Sequence, residues 1–252
     1  MAELDRRYEQ TIGRADTGVI DQGLRAYMLR VYNYMASGVA ITGVVAYAVY
    51  AMSVVTGADG SITGLTSFGN LMFASAFKWV VIFAPLAMVF FLSFKIQTLS
   101  VGTAQMLFWL FAALMGASIS SIFLVFAGES IARVFFITAA AFGALSLWGY
   151  TTKKDISGWG SFLFMGLIGI IIASLVNLFV GSTALQFAVS VIGVLVFAGL
   201  TAYDTQQIKE MYSVQDDGTV AGKKAVMGAL RLYLDFINLF MMLLQLFGSS
   251  RN

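Results

Sequence analysis

The chain reads as an all-α integral membrane protein, a bundle of seven transmembrane helices, and three observations predict this. Hydrophobic residues make up 59% of the 252 and charged residues only 11%, against about 25% charged in soluble domains. Apolar runs long enough to cross a hydrocarbon core of about 30 Å as helices recur seven times along the sequence. Within each run the apolar residues are continuous, without the two-residue alternation of a membrane barrel strand, and in lipid only helices or closed barrels satisfy their own backbone.

Taken in order, residues 1–30 form a polar tail in which Arg6, Arg7, Arg14, Arg25 and Arg30 are balanced by Glu3, Asp5, Glu9, Asp16 and Asp21. Those acids argue against a mitochondrial presequence, and no short apolar core with a cleavage site follows, so the tail is expected to stay on the protein. Leu24, Met28 and Val31 fall at helical spacing, which predicts a juxtamembrane amphipathic segment lying along the interface. The transmembrane domain then occupies 31–252, with spans expected at 31–55, 79–94, 104–127, 132–151, 160–180, 184–204 and 225–247. An earlier start for the second span, near Leu71, would leave Lys78 snorkelling to the interface, and Pro85, the only proline, predicts a kink there. The stretch 56–70, rich in Gly, Ser and Thr, is the longest expected link outside the spans. Gly128–Ser130 and Gly181–Thr183 read as tight hairpin links. Ala112, Gly116 and Ser120, and Ala139 with Gly143, put small residues on one helix face, where close packing is the expected use.

Composition narrows the chemistry. There is no cysteine and no histidine, which removes disulfides, thiolate catalysis, haem ligation and ordinary zinc sites. No resident cofactor is expected, and any metal must be hard and oxygen-bound, such as calcium. A net charge of +2 without a basic run or an aromatic platform argues against nucleic acid, leaving cations, membrane lipids and other membrane proteins as partners. Eleven of the fifteen basic residues (Arg6, Arg7, Arg14, Arg25, Arg30, Lys95, Lys153, Lys154, Lys209, Lys223 and Lys224) fall on one side of the expected topology. By the positive-inside rule that side is cytoplasmic, so the N-terminus is inside and the C-terminus outside, unless the last segment is re-entrant. The lack of cysteine and of a targeting signal suits a bacterial inner membrane.

The string LRLYLDFINLF at 230–240 places Asp235 and Arg231 inside an apolar run, and Asp204 ends the preceding run in GLTAYDTQQIK. A charge at that depth costs about 2.5–3.5 kcal/mol on insertion scales and is a functional candidate by default. Rises of 1.5 Å per residue from the inner helix ends bring both acids to similar depth, at about 12 and 18 Å, so adjacent antiparallel helices would bring them together. Two carboxylates sharing a dry site do not both ionise cheaply and titrate as one unit. Such a pair suits a structural proton-sharing bond, a cation site with transient calcium contact, a proton relay or a catalytic dyad. Arg231, one helical turn before Asp235, shares its face and could pair with it.

Three strings, LYLDFINLF at 232–240, AYDTQQIK at 202–209 and FGALSLWGYTTKKD at 142–155, resemble the transmembrane Bax inhibitor motif family in its bacterial branch, and the likeness runs from the second span onward. The resemblance implies a seven-helix bundle in which two acids form a proton-sensitive latch over a calcium-permeable path. Asp204 and Asp235 fall on the latch positions. It also implies a basic residue at the inner end of the second span that bonds the first acid, for which Lys95 is the nearest match. Arg231 stands where that pattern has a small or polar residue.

The expected function is therefore a pH-sensitive calcium or cation leak channel gated by an intramembrane aspartate pair, not an enzyme, acting in ion homeostasis and stress response. The alternative is a non-conducting regulator that docks another membrane protein such as a quality-control protease. A diaspartyl intramembrane protease fits poorly, because Leu232, Tyr233 and Leu234 precede Asp235 where a Gly-x-Gly pattern belongs. A retinal receptor is excluded by the lack of a lysine in the expected seventh span.

Overall fold

The structure is a computed structural model that describes residues 2–57 and 61–251, with side chains from Gln22 onward. Seven helices among the described residues are long and apolar enough to cross a membrane. They are α1 (Ala2–Ser53), α2 (Phe77–Lys95), α3 (Val101–Ile119), α4 (Gly128–Thr151), α5 (Trp159–Val180), α6 (Thr183–Glu210) and α7 (Gly218–Phe247).

The helix ends follow from local chemistry. Ser100 accepts from Thr103 N–H to start α3, Ser182 from Leu185 N–H to start α6, and Asp217 from Thr219 and Val220 N–H to start α7, each supplying an acceptor to otherwise unpaired N-terminal donors. Gly181, at φ 65°, closes α5 in the left-handed conformation that glycine tolerates, as expected of the link at 181–183. The other predicted link lies earlier than expected. α4 already begins at Gly128, and the connection is Phe126–Ala127, reached after α3 breaks at Ser120–Ser121 and resumes as the short helix Ile122–Val125.

Three further expectations are corrected. No break separates a tail from the first span near position 30. Tyr27, Met28 and Val31 are buried within the bundle core, not laid along an interface, and α1 runs through them. The stretch after α1 is not only a link, since Val54–Thr56 (β1) pairs antiparallel with Ile62–Leu65 (β2). The apolar turn around Leu71 is a separate π-helix, Asn70–Ala74. Ser75 ends it by donating to Leu71 O and starts α2 by accepting from Phe77 N–H, while Lys78 lies over the Trp79 ring. α2 continues helical through Pro85.

The bundle is organised around α7. Two-thirds (67%) of its most apolar window is buried, against 11–39% for the other six. The pair α1–α3 packs on one side of α7 and the pair α4–α6 on the other, with α2 outside α3 and α5 outside α6. Close approach is bought by small residues. A Cβ at Gly116 would sit 2.6 Å from Thr42 O of α1, and one at Gly149 would collide with the Ala202 carbonyl of α6. Gly143, by contrast, faces open space and packs nothing. The expected close packing at Gly143 is therefore not found, and the close approach of α4 to α6 is made instead at Gly149, which was not expected.

One end of the bundle carries the turn after α2, the α4–α5 loop and the α6–α7 loop; the hairpin, residues 126–127 and the chain's last turn occupy the other. At the first end Gln206 donates to Lys154 O and accepts from Ile156 N–H, Lys209 donates to Tyr150 O, Lys223 to Gln97 O and Lys224 to Met211 O. In the same α4–α5 loop, the Ser157 N–H and hydroxyl hold the Asp155 carboxyl below its usual range. At the other end residues after α7 fold back. Ala127 N–H bonds Ser249 O, and the Arg251 guanidinium reaches the Tyr50 hydroxyl and Phe123 O.

Candidate functional site

α6 and α7 are the antiparallel neighbours that bring the two acids together. α7 begins seven residues earlier than expected, at Gly218, because Asp217 caps it, and Lys223 and Lys224 are thus helical. Asp204 lies about 9 Å from the end of α6 and Asp235 about 26 Å from the start of α7 at 1.5 Å per residue. The Asp204 and Asp235 carboxyls nevertheless face each other across the two helices, close enough that each acts on the other.

Their surroundings differ. Asp235 is 5% exposed, and its Oδ2 is buried without a donor; Asp204 is half-buried. An acceptor left without a donor in such a place is costly, and a proton shared between the two carboxyls supplies one. Arg231 is the cation that acts on both. It is exposed and forms no ion pair with Asp235, the salt bridge among the described residues being Lys224–Asp216 at 2.6 Å. Lys95 is not brought to Asp204. It stands exposed at the end of α2, and α2 packs on α3 and not on α6, so the predicted Lys95–Asp204 contact is absent.

Hydroxyls tie together the helices that carry the pair. Thr42 donates to Ala112 O at 2.8 Å and is bonded to the Tyr233 hydroxyl at 2.6 Å, while Tyr233 stands edge-on to Phe108 and Phe111. This locks α7 to α1 and α3 two residues from Asp235. On the other side Tyr32, Ser146 and Thr205 bond in series at 2.7 and 2.8 Å, joining α1, α4 and α6 one residue from Asp204. Tyr27 of α1 meets the Tyr212 ring at a 36° tilt, and its buried hydroxyl has no partner among the described residues.

Sequence reasoning missed these hydroxyls, since a lone Thr or Ser in an apolar run carries no periodic signal. It also missed a stripe that was legible. Lys224, Arg231, Asn238 and Gln245 recur every seven residues along α7, and none of the four is buried in the most enclosed helix of the bundle. Among the described residues no group of three or more acidic side chains stands ready to hold a metal ion. Two carboxylates form an incomplete shell for calcium, which takes six to eight oxygens, and so suit a passing cation better than a resident one.

A seven-span helical bundle with an acid pair facing across its last two helices defines a class of polytopic membrane protein. The chain belongs to the Bax inhibitor family: the family described as "Inhibitor of apoptosis-promoting Bax1" matches residues 24–252. It is 49% identical over 231 residues to the inner membrane protein YbhL of Escherichia coli K12, covering 91% of this chain and 94% of that one. It is 47% identical to the protein RP147 of Rickettsia prowazekii over 92% of this chain and 93% of the relative, and 45% identical to a Caulobacter vibrioides protein over the full length of both. The resemblance carried by the three strings is thereby borne out.

Proposed function

We propose that this chain is a pH-sensitive cation leak, with calcium the principal permeant ion, gated by Asp204 and Asp235. The observation that carries the reading is the approach of the two carboxyls between α6 and α7 in a buried place where Asp235 Oδ2 has no donor, so that a shared proton would bond them. With one proton shared, the bond holds the two helices together. Without it, two anions about 4 Å apart at an effective dielectric of 20 repel by about 4 kcal/mol, enough to move a two-state equilibrium about a thousandfold. Arg231 offsets part of that repulsion, and Tyr27 on α1 is the further titratable group within its field. Opening therefore grows as pH rises, and the site makes and breaks no covalent bond.

The basic end of the bundle is assigned to the cytoplasm by the positive-inside rule, which puts the N-terminus inside, and the membrane is assigned as a bacterial inner membrane by likeness to the inner membrane protein YbhL of E. coli. The test is calcium flux into proteoliposomes between pH 5 and 8. Wild-type flux should rise across that range, and Asp204→Asn and Asp235→Asn should each be insensitive to pH. Identical profiles for all three proteins would sink the gate and favour a non-conducting protein that docks another membrane protein.

A further inference from the structure

Between α1 and α4 lies a groove of about 470 Å³, lined by Arg25, Met28, Tyr32, Phe142, Gly143 and Tyr150 among others. It exists because α1 and α4 pack on α7 and α6 without packing closely on each other, and because Gly143 contributes no side chain. A Cβ there would meet nothing within 4 Å. The rim is open to the side, with Leu29 and Leu147 52% and 62% exposed. A laterally open apolar groove in a membrane-spanning bundle faces acyl chains.

The ends of the groove are chemically unlike. From Phe142 to Tyr150 its wall is one helix face about 12 Å long at 1.5 Å per residue, apolar except for the Tyr32–Ser146 bond in its floor. At the Tyr150 end stands Arg25, which forms no ion pair among the described residues. Lys209 of α6 lies over the ring of the lining residue Tyr150 and donates to its carbonyl. Among the described residues no acidic side chain lines the groove. Arg25 also marks where α1 passes from its polar segment into its apolar run, so the cationic end sits at headgroup level while the rest lies at the depth of the hydrocarbon.

We propose that this groove is a binding site for an anionic glycerophospholipid, one acyl chain lying against Gly143 between α1 and α4 and the phosphate on Arg25. The charge of Arg25 selects an anionic headgroup over a zwitterionic one, and the missing side chain at Gly143 makes room for the chain. The occupant rests on the Tyr32–Ser146 bond, which continues through Thr205 to the turn of α6 that carries Asp204.

The test is native mass spectrometry of the full chain released from nanodiscs that hold equal dioleoyl phosphatidylglycerol and dioleoyl phosphatidylcholine. The wild type should retain phosphatidylglycerol about fivefold over phosphatidylcholine, the selectivity that one basic residue at an anionic headgroup supports. Arg25→Gln, an exposed change, should bring that ratio close to one, and Gly143→Leu, which fills open space, should lower retention of both lipids. Equal retention of the two lipids by the wild type, or unchanged retention in both variants, overturns the proposal. So does a dimer that Gly143→Leu dissociates without altering lipid retention, which would make the groove a seat for a second copy of the chain. Neither readout depends on ion flux.

Discussion

Replacing Arg231 by Gln keeps a long polar side chain and removes the one charge that acts on both carboxyls. Arg231 forms no ion pair with either acid; for scale, unit charges about 8 Å apart at an effective dielectric of 20 attract by about 2 kcal/mol. Because the guanidinium is exposed, solvent and salt cut this to about 1 kcal/mol, which corresponds to somewhat less than one pH unit. The sign is fixed by which form the cation favours. Arg231 stabilises the ionised pair, so its loss makes the shared proton harder to remove and should move the opening transition to higher pH. The assay is calcium flux into proteoliposomes at half-unit pH steps for wild type, Arg231→Gln, and Arg231→Gln combined with Asp235→Asn. In the double variant the displacement should vanish, because no pair remains to titrate. A transition that stays in place, or that moves to lower pH, would show that Arg231 does not bear on the latch and would refute the electrostatic reasoning.

Lys95→Ala should leave the midpoint of the flux transition where it is, since Lys95 stands apart from Asp204; a displaced midpoint would mean that α2 reaches α6 in a conformation other than this one. Gly149→Val should lower stability by about 1–3 kcal/mol through overpacking against the Ala202 carbonyl, read as a drop in the thermal midpoint of the detergent-solubilised protein, and an unchanged midpoint would contradict the close α4–α6 contact. The chain has no cysteine, so single cysteines report sidedness directly. Ser182→Cys should react with a membrane-impermeant maleimide in intact cells and Lys154→Cys only after permeabilisation, and the reverse pattern would invert the assigned orientation.

The seven spans were legible because length and hydropathy are summed over about 20 residues and tolerate local noise. Their ends were less so. The start of α7 was placed too late because Gly218, Thr219 and Gly222 dilute the apolar signal; the Asp217 cap was the stronger clue. The acid pair was legible because charge inside an apolar run is rare and costly, and helix rise alone put both acids within reach. What the sequence could not supply was which third group joins them. Lys95 and Arg231 were both plausible by position along the chain, and the choice depends on which helices touch: α2 packs on α3 and α7 on α6. The same reason explains Gly143. Small residues four apart signal close approach, but only the partner helix decides whether a face is filled, and at Gly143 there is none.

The helix at the centre of this bundle is also the seventh to emerge during synthesis. If spans enter the membrane in sequence order, the first six arrive without the helix that joins their two halves. Thr42 then lacks the Tyr233 hydroxyl, Asp204 lacks its carboxyl partner, and the α1–α3 and α4–α6 pairs enclose a space that only lipid can occupy. Biogenesis of this protein is thus a matter of holding two half-bundles until a keystone is driven between them. A membrane insertase or chaperone that shelters polar side chains in unfinished helices would have its longest task here, in the interval before α7 arrives.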